Sequence, residues 1–270
     1  IRKVRREHPG TRLAVTGCYA QVAPEEIRDI GGVDIVCGNT EKSRIPEKVT
    51  GEWADTASPL LVVSAIDRPR PFSPISVPLE GDRTRPVLKI QDGCNSFCTY
   101  CIVPYARGRS RSMAPDEVAS HLRTMAAAGV REVVLSGIHL GAYGADLQPA
   151  ISFGALLHRI ENETAVERVR LSSVEPKELT PAVIDRVAAS SRFCPHFHIP
   201  LQSGDDEILK KMGRPYSVDS FEKLVASIRR QMPEAAIGVD VLVGFPGETD
   251  ASFARTFRLL ERLQIGRAHV

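Results

Sequence analysis

Three cysteines lie close together in the stretch QDGCNSFCTYCIV, in a chain of 270 residues that has six cysteines in all. Cys94, Cys98 and Cys101 form a C-x3-C-x2-C pattern. Thiolates are soft ligands that bind zinc, copper(I) and iron–sulfur clusters. The pattern therefore predicts a metal centre in this segment.

An open iron–sulfur cluster suits three clustered thiols better than the other cysteine sites do. A structural zinc site takes four ligands, usually as two C-x2-C pairs, and the sequence has no second pair. Three thiols cannot all pair as disulfides, and a C-x-x-C redox site leaves Cys94 unused. We predict a cubane cluster in which one iron has no protein ligand, with zinc as the main alternative.

Alternating strand-like and helix-like segments must position this loop. From Val87 onward the sequence predicts five βα units and the start of a sixth, which is the pattern of a parallel barrel with its helices outside. The cysteine loop follows the first predicted strand, PVLKIQDG. In such barrels the chemistry lies at the carboxyl ends of the strands, so the loop is on the expected side.

The chain before the barrel has a different pattern. Residues 12–50 alternate strand, helix, strand and helix, which predicts part of a small α/β domain. We expect this truncated domain over 1–50, a proline-rich linker over 51–85, and a barrel over 86–270 that is incomplete at its C-terminus. Because the first residue is not methionine and the chain stops as a strand begins, we expect a fragment cut at both ends.

The composition predicts a soluble, cytoplasmic protein. Hydrophobic residues make up 43% of the chain, no apolar run is long enough to span a membrane, and the basic start lacks the apolar segment of a signal peptide. The net charge of +2 is too small to indicate nucleic-acid binding by itself. The basic residues near the start predict a solvated helix.

The longer strings around these features resemble a known family. A C-x3-C-x2-C loop after the first strand of a βα barrel, with the aromatic Tyr100 before the third cysteine, resembles the radical S-adenosylmethionine (SAM) superfamily. QDGCNSFCTYCIVPYARGRSRS resembles the methylthiotransferases within it. LSGIHLGAYGADL, VRLSSVEPKELT and HFHIPLQSGDDEILKKMGRPYS look most like the branch that modifies N6-threonylcarbamoyladenosine in tRNA.

The resemblance implies methylthiolation at C2 of N6-threonylcarbamoyladenosine 37. Two alternatives come from the same superfamily: methylthiolation of isopentenyladenosine in tRNA, and methylthiolation of an aspartate in a ribosomal protein. An alternative of a different class is a non-catalytic, zinc-dependent RNA-binding module.

The resemblance also implies roles for the barrel cysteines and the strand ends. Cys94, Cys98 and Cys101 would hold a [4Fe–4S] cluster whose open iron binds SAM, and one electron from the cluster would release a 5′-deoxyadenosyl radical. The cofactor-binding residues expected from it are Tyr100, Ser136, Gly137, Glu175, Gln202 and Gly244. Tyr100 could instead be a buried core residue, and Glu175 or Gln202 could merely cap a turn.

A second [4Fe–4S] cluster follows from the same resemblance. Cys18 in VTGCYAQ would be its third cysteine ligand, and the two partner cysteines would lie upstream. Without the resemblance, a lone cysteine there is an ordinary buried residue. Cys37 and Cys194 inherit no role, and we expect His196 and His198 to be barrel-interior residues rather than metal ligands.

The motif RGRSR predicts an RNA contact. If the segment is extended, Arg107, Arg109 and Arg111 project to one side and can bind RNA phosphates. A solvated loop or a contact with the cofactor carboxylate is the alternative. The partners that the resemblance implies are a tRNA anticodon loop and an electron donor such as flavodoxin or ferredoxin. The sulfur donor stays unidentified, and we expect no membrane partner.

Overall fold

The computed structural model describes the chain in four stretches, residues 1–50, 59–66, 70–73 and 84–269. The chain divides into two compact units. Unit 1 contains residues 1–70, 93–96 and 101–109, and unit 2 contains residues 71–92, 97–100 and 110–270. The cysteine loop therefore contributes residues to both units. The domain boundaries at residues 50 and 86 remain a prediction.

Unit 1 is built on a three-stranded parallel sheet. Its elements are α1 (Arg2–Glu7), β1 (Ala14–Thr16), α2 (Cys18–Val22), α3 (Pro24–Asp29), β2 (Ile35–Cys37), α4 (Ile45–Thr50), β3 (Leu60–Val62) and α5 (Val103–Arg107). The strands lie in the order β1–β2–β3, with Val15 opposite Val36 and Val36 opposite Leu61. All of β2 is buried because it is the central strand.

Strand β3 lies within the segment predicted as a linker, residues 51–85. The run LLV at 60–62 pairs with β2 in parallel register, so this part of the segment belongs to the sheet of unit 1. A short apolar run can form a strand even when prolines lie near it. Residues 51–58, 67–69 and 74–83 of the predicted linker lie outside the described residues.

Unit 2 follows the predicted alternation of strands and helices. Its strands are β4 (Val87–Lys89), β5 (Gln91–Asp92), β6 (Arg111–Ser112), β7 (Glu132–Ser136), β8 (Arg168–Leu171), β9 (His196–His198), β10 (Ala236–Asp240) and β11 (Arg267–His269). Its helices are α6 (Pro115–Ala127), α7 (Phe153–Glu163), α8 (Pro181–Ala189), α9 (Asp206–Lys211), α10 (Val218–Gln231) and α11 (Asp250–Arg262).

Six of these strands run parallel in chain order. Strands β4, β7 and β8 form one three-stranded sheet, and β9, β10 and β11 form another. A parallel bridge between Ser173 and His198 links the two sheets. Because a helical segment connects each strand to the next, the predicted partial (β/α) barrel is confirmed.

A short antiparallel hairpin departs from the predicted pattern. The segment PVLKIQDG was predicted as one strand, but β5 is separate from β4 and pairs with β6, placing Gln91 opposite Ser112. The predicted cysteine loop therefore begins inside a hairpin rather than simply following a barrel strand. The polar strand β6 carries no hydrophobic alternation that would indicate a strand.

Capping residues in the sequence mark the N-termini of most of the barrel helices. The N-caps of five helices accept a backbone N–H through a side-chain oxygen, and these caps are Ser152, Thr180, Asp205, Ser217 and Thr249. The buried apolar residues of these helices pack on strands such as β7, in which Val133 and Leu135 are fully buried. No helix in the described stretches has the length and apolar character needed to cross a bilayer.

Candidate functional site

The first part of the cysteine loop is fixed by a glycine and a backbone hydrogen bond. Gly93 has φ of +73°, a conformation that glycine adopts without steric cost. The next residue, Cys94, donates its N–H to the carbonyl oxygen of Gly108 at 3.0 Å. The sulfur of Cys94 accepts the N–H of Ser96 at 3.3 Å. Cys94 and Cys101 are half-buried in unit 1.

The middle of the loop, residues 97–100, packs on the turn after α9 within unit 2. Thr99 donates its N–H to the carbonyl of Met212 at 3.1 Å and its hydroxyl to the carbonyl of Lys211 at 3.0 Å. These bonds hold Cys98, which is buried. Its sulfur accepts a hydrogen bond from Nη1 of Arg214 at 3.3 Å.

Arg214 lies beside Cys98, and no sequence motif indicates this position. Its side chain is 4% exposed, and it forms an ion pair with Glu175. Burial alone would lower the pKa of the Arg214 guanidinium, but the Coulombic interactions with Tyr216 and Glu175 outweigh that effect and raise it. The string KKMGRPYS contains the arginine, but nothing in its spacing to Cys98 or Glu175 indicates the contact.

Two more predicted cofactor positions are Tyr100, in the cysteine loop, and the end of β7. Tyr100 is 38% exposed, so the alternative of a buried core tyrosine is wrong. Ser136 is the last residue of β7 and is half-buried. Gly137 packs closely on Gln91, and a methyl group there would lie 2.9 Å from the Gln91 Cβ. Gln91 also accepts the N–H of His139 at 2.7 Å, which fixes this strand end.

The other predicted cofactor residues occupy the ends of later strands. Glu175 follows β8, and burial raises its pKa while Arg214 opposes that rise. Gln202 follows β9 with φ of +64°, a region that few non-glycine residues adopt. Gly244 follows β10, has φ of +74° and donates its N–H to Glu248 at 2.5 Å.

Two arginines of RGRSR depart from the predicted arrangement. Arg107 ends helix α5, so the segment is not extended over all three positions; Pro104 favours the helix start and Gly108, with φ of +77°, ends it. Arg107 donates through Nε to the sulfur of Cys18 at 3.3 Å. Arg111 donates to the buried Asp92 at 2.7 Å. Arg109 is exposed, and the RNA-binding role remains a prediction.

Cys18 begins helix α2 directly after Gly17, which has φ of +126°. It is half-buried. Besides the Arg107 contact, its sulfur lies 3.9 Å from Nδ2 of Asn39, which also donates to the carbonyl of Ala106 at 2.6 Å. All of these residues belong to unit 1. The sulfur therefore has donor groups around it, which a cysteine in an apolar core would lack.

Cys37, Cys194 and His198 lie outside the cysteine loop. Cys37 is fully buried in β2, and burial raises the pKa of its thiol. Cys194 is buried and accepts a long contact from Arg168 at 3.7 Å. His198 lies 2.9 Å from the carboxylate of Asp240. Among the residues that the structure describes, no three His, Cys, Asp or Glu side chains are arranged to hold a single metal ion.

Comparison with known proteins identifies the superfamily. The sequence profile of the Radical SAM superfamily matches residues 88–260, more than half of the chain. The chain belongs to the radical SAM superfamily. The match begins in β4 and ends in α11, and so includes the cysteine loop and the strand ends described above. The predicted superfamily is therefore confirmed.

Curated relatives match all or nearly all of the chain. Threonylcarbamoyladenosine tRNA methylthiotransferase MtaB of Bacillus subtilis (strain 168) is 40% identical over 274 residues, which cover 100% of this chain and 60% of that protein. tRNA-2-methylthio-N(6)-dimethylallyladenosine synthase of Clostridium botulinum (strain Langeland / NCTC 10281 / Type F) is 34% identical, covering 99% of this chain and 60% of that protein. The predicted resemblance to methylthiotransferases is confirmed, and the chain spans about 60% of the length of these relatives.

A solved radical SAM structure shares the fold. The cobalamin-dependent SAM radical enzyme OxsB, with aqua-cobalamin and SAM bound, superposes with a TM-score of 0.60 at 12% identity, covering 92% of this chain and 39% of that chain. At this identity the likeness concerns the fold alone.

The residues of this radical SAM chain fit a [4Fe–4S] cluster. None of the six cysteines, all of which lie in the described part of the chain, is in a disulfide. The sulfurs of Cys94 and Cys98 accept N–H hydrogen bonds, which stabilise sulfur that carries negative charge. In a cubane each thiolate binds a different iron, so the three sulfurs need not meet at one point.

Proposed function

We propose that this chain is part of a tRNA methylthiotransferase that adds a methylthio group to C2 of N6-threonylcarbamoyladenosine 37. The observation that carries the proposal is the C-x3-C-x2-C loop of a radical SAM barrel in a chain that is 40% identical, over its whole length, to an MtaB methylthiotransferase. The identity to the dimethylallyladenosine synthase is 34%, which favours the threonylcarbamoyl substrate over isopentenyladenosine.

Cys94, Cys98 and Cys101 hold the SAM-binding cluster in this proposal. When bound, the cluster and SAM supply one-electron cleavage of the sulfonium C–S bond, which leads to removal of hydrogen from C2. The protein's task is to hold the cysteine sulfurs, to present polar groups at the strand ends and to exclude water. Arg214 holds Cys98, and the Gln91 contacts fix the strand end that carries Ser136 and Gly137.

The strand ends give the cofactor both polar and flat surfaces. Tyr100 offers an exposed aromatic face suited to adenine. The half-buried side chain of Gln202 offers an amide to the ribose or the carboxylate. Gly244 lets the cofactor approach the backbone, because no described atom lies within 4 Å of the place that a Cβ would take. Glu175 already pairs with Arg214, so its contact with the cofactor is made together with that arginine.

Cys18 serves a second [4Fe–4S] cluster in the full-length protein, where its two partner cysteines lie upstream. Arg107 and Asn39 supply the donor groups around its sulfur. That cluster would supply the sulfur atom for C2, and a second SAM molecule would supply the methyl group. The reaction requires an electron donor such as flavodoxin or ferredoxin, a sulfur donor, and the tRNA anticodon loop in the cytoplasm.

Nucleoside analysis of tRNA tests the substrate. In cells that lack the full-length gene, we expect the mass of 2-methylthio-N6-threonylcarbamoyladenosine to be replaced by that of the unmodified N6-threonylcarbamoyladenosine. Reintroducing the gene should restore it, and the matched gene with Cys98→Ala should not. Loss of the methylthio-isopentenyladenosine instead would assign the other tRNA branch, and loss of a methylthio group from a ribosomal-protein aspartate would assign the protein substrate.

A further inference from the structure

Arg214 is a buried charge with three separate partners. Its side chain is 4% exposed, and a guanidinium stays protonated in proteins, so its burial requires compensating contacts. Nη1 donates to the sulfur of Cys98 at 3.3 Å, Nη2 donates to the carboxylate of Glu175, and Nε donates to the hydroxyl of Tyr216 at 3.1 Å. Each of the three nitrogens therefore has its own acceptor.

The surrounding backbone fixes the guanidinium in this position. The N–H of Arg214 bonds to the carbonyl of Leu209 at 2.9 Å, and Gly213 turns the chain with φ of +72°. The guanidinium carbon lies 5.0 Å from the centre of the Tyr216 ring. The Tyr216 hydroxyl lies 2.9 Å from the carbonyl oxygen of Pro200, just after β9. The arginine is thus held between two strand ends and the cysteine loop of unit 2.

The charges around the sulfur determine what the contact does. Cys98 is a ligand of the SAM-binding cluster only if the proposed function holds, and the present inference rests on that assignment. Hydrogen bonds to cluster sulfurs and nearby charge set the reduction potential of iron–sulfur clusters. A cationic donor stabilises the reduced cluster more than the oxidised one because the reduced cluster carries one more negative charge. The carboxylate of Glu175 partly offsets this effect.

We propose that Arg214 is a positioning residue that fixes the Cys98 thiolate and raises the reduction potential of the SAM-binding cluster, with Glu175 as its counter-charge. The cluster then accepts an electron from its donor more readily than it would beside an uncharged side chain. This role concerns the cluster ligand and is independent of which nucleoside or protein is modified.

A potentiometric titration tests the role. The full-length protein is prepared anaerobically with Cys18→Ala, so that only the SAM-binding cluster contributes, and the reduced fraction is followed by electron paramagnetic resonance. We expect Arg214→Met to lower the ratio of reduced to oxidised cluster at least tenfold at a fixed potential, which corresponds to 59 mV for one electron. Arg214→Lys should lie between this variant and the wild-type residue because lysine keeps the charge but not the forked geometry.

Two further variants keep the test decisive. Glu175→Gln removes the counter-charge and should shift the potential in the opposite direction, upward. Arg168→Met is the matched control, because it removes an arginine from Cys194, a buried thiol outside the cysteine loop; we expect no shift. If Arg214→Met fails to hold iron, the sign of the Glu175→Gln shift decides, and an unchanged or lower potential overturns the inference.

Failure of this inference differs from failure of the proposed function. A parent protein with zinc and no acid-labile sulfide contradicts the function and, with it, the inference. If the parent protein has an intact cluster and neither Arg214→Met nor Glu175→Gln changes its reduction potential, only the role of Arg214 is contradicted.

Discussion

Cys98 and Cys18 each accept a hydrogen bond from an arginine, but their surroundings differ. Cys98 is buried, and its arginine, Arg214, is held by the carboxylate of Glu175, the hydroxyl of Tyr216 and the backbone carbonyl of Leu209. Cys18 is half-buried in the smaller unit, whose separate core is formed around a few residues such as Ile27 and Val36. Its arginine, Arg107, ends a helix of five residues.

This difference indicates where each cysteine's geometry comes from. The position of Cys98 is set by contacts between distant parts of unit 2, so it should tolerate little change nearby. The position of Cys18 depends on short local elements and a few hydrogen bonds. Substitutions near Cys18 should therefore have smaller effects than substitutions near Cys98. The predictions below test that contrast.

The largest effect is expected from the two cysteines themselves. In the full-length protein, Cys98→Ala should reduce reductive cleavage of SAM by more than about 100-fold, beyond the usual loss for a residue that only supports a metal ligand. Cys18→Ala should leave this cleavage unchanged and stop methylthio transfer. Chromatography of 5′-deoxyadenosine and of the modified nucleoside measures both steps. If Cys98→Ala still forms 5′-deoxyadenosine at the normal rate, Cys98 is not a ligand of the cluster.

The glycines that precede two of the cysteines provide a matched pair within unit 1. A methyl group at Gly93 would clash with the backbone carbonyl of Arg109, whereas a methyl group at Gly17 would have no atom of the described residues within 4 Å. Both have positive φ. We expect Gly93→Ala to cost about 3 kcal/mol in the free energy of unfolding and Gly17→Ala about 1 kcal/mol. Urea unfolding of both variants gives the comparison, and equal costs would contradict it.

Asp205 tests the support beneath the turn that carries Arg214. It caps α9 through the N–H of Ile208 at 3.0 Å and pairs with Arg255 at 2.5 Å. We expect Asp205→Ala to cost about 2 kcal/mol in unfolding free energy.

The same carboxylate gives a pH dependence with a defined sign. Burial acts to raise the Asp205 pKa, but the bonds from Ile208 and Arg255 prevail and lower it below 3.8. A lowered pKa in the folded state means that the stabilisation is present above pH 3.8 and is lost as the pH falls through the lower folded value. Urea unfolding at pH 7 and at pH values below 3.8 should show the Asp205→Ala difference shrinking; a difference that grows on acidification contradicts the assignment.

The smallest effect is expected from Arg107. Arg107→Met removes a donor from the Cys18 sulfur and should reduce methylthio transfer about tenfold without changing 5′-deoxyadenosine formation. Arg109→Met is the comparison variant for tRNA binding, because Arg109 is exposed and is one of the three arginines predicted to bind RNA phosphates. If Arg107 instead binds phosphate, its variant should weaken tRNA binding and lower the salt dependence of the dissociation constant.

Local patterns predicted most of unit 2. Most of the helices have caps and amphipathic spacing, and strands such as β7 and β10 are largely apolar, so these elements can be recognised within a few residues. Strand β3 was not predicted, because the prolines near the run LLV favour a linker. β6 was missed because two polar residues form a strand only through pairing with β5.

The candidate site was predictable only in part. The cysteines are close in sequence, so their spacing indicates their chemistry directly. The role of Arg214 depends on Cys98, Glu175 and Tyr216, which come together only when β8, α9 and the cysteine loop have folded. The Arg107 contact with Cys18 joins residues 89 positions apart, and the predicted extended conformation of RGRSR directed attention to RNA instead.

Quantification of metal and sulfide in the anaerobically purified full-length protein tests the central claim most directly. With Cys18→Ala, the account predicts about four iron and about four acid-labile sulfide per chain, with a broad absorbance near ~400 nm, and their loss when Cys94, Cys98 and Cys101 are all changed to alanine. Stoichiometric zinc without sulfide, or iron retained after the triple change, would contradict it.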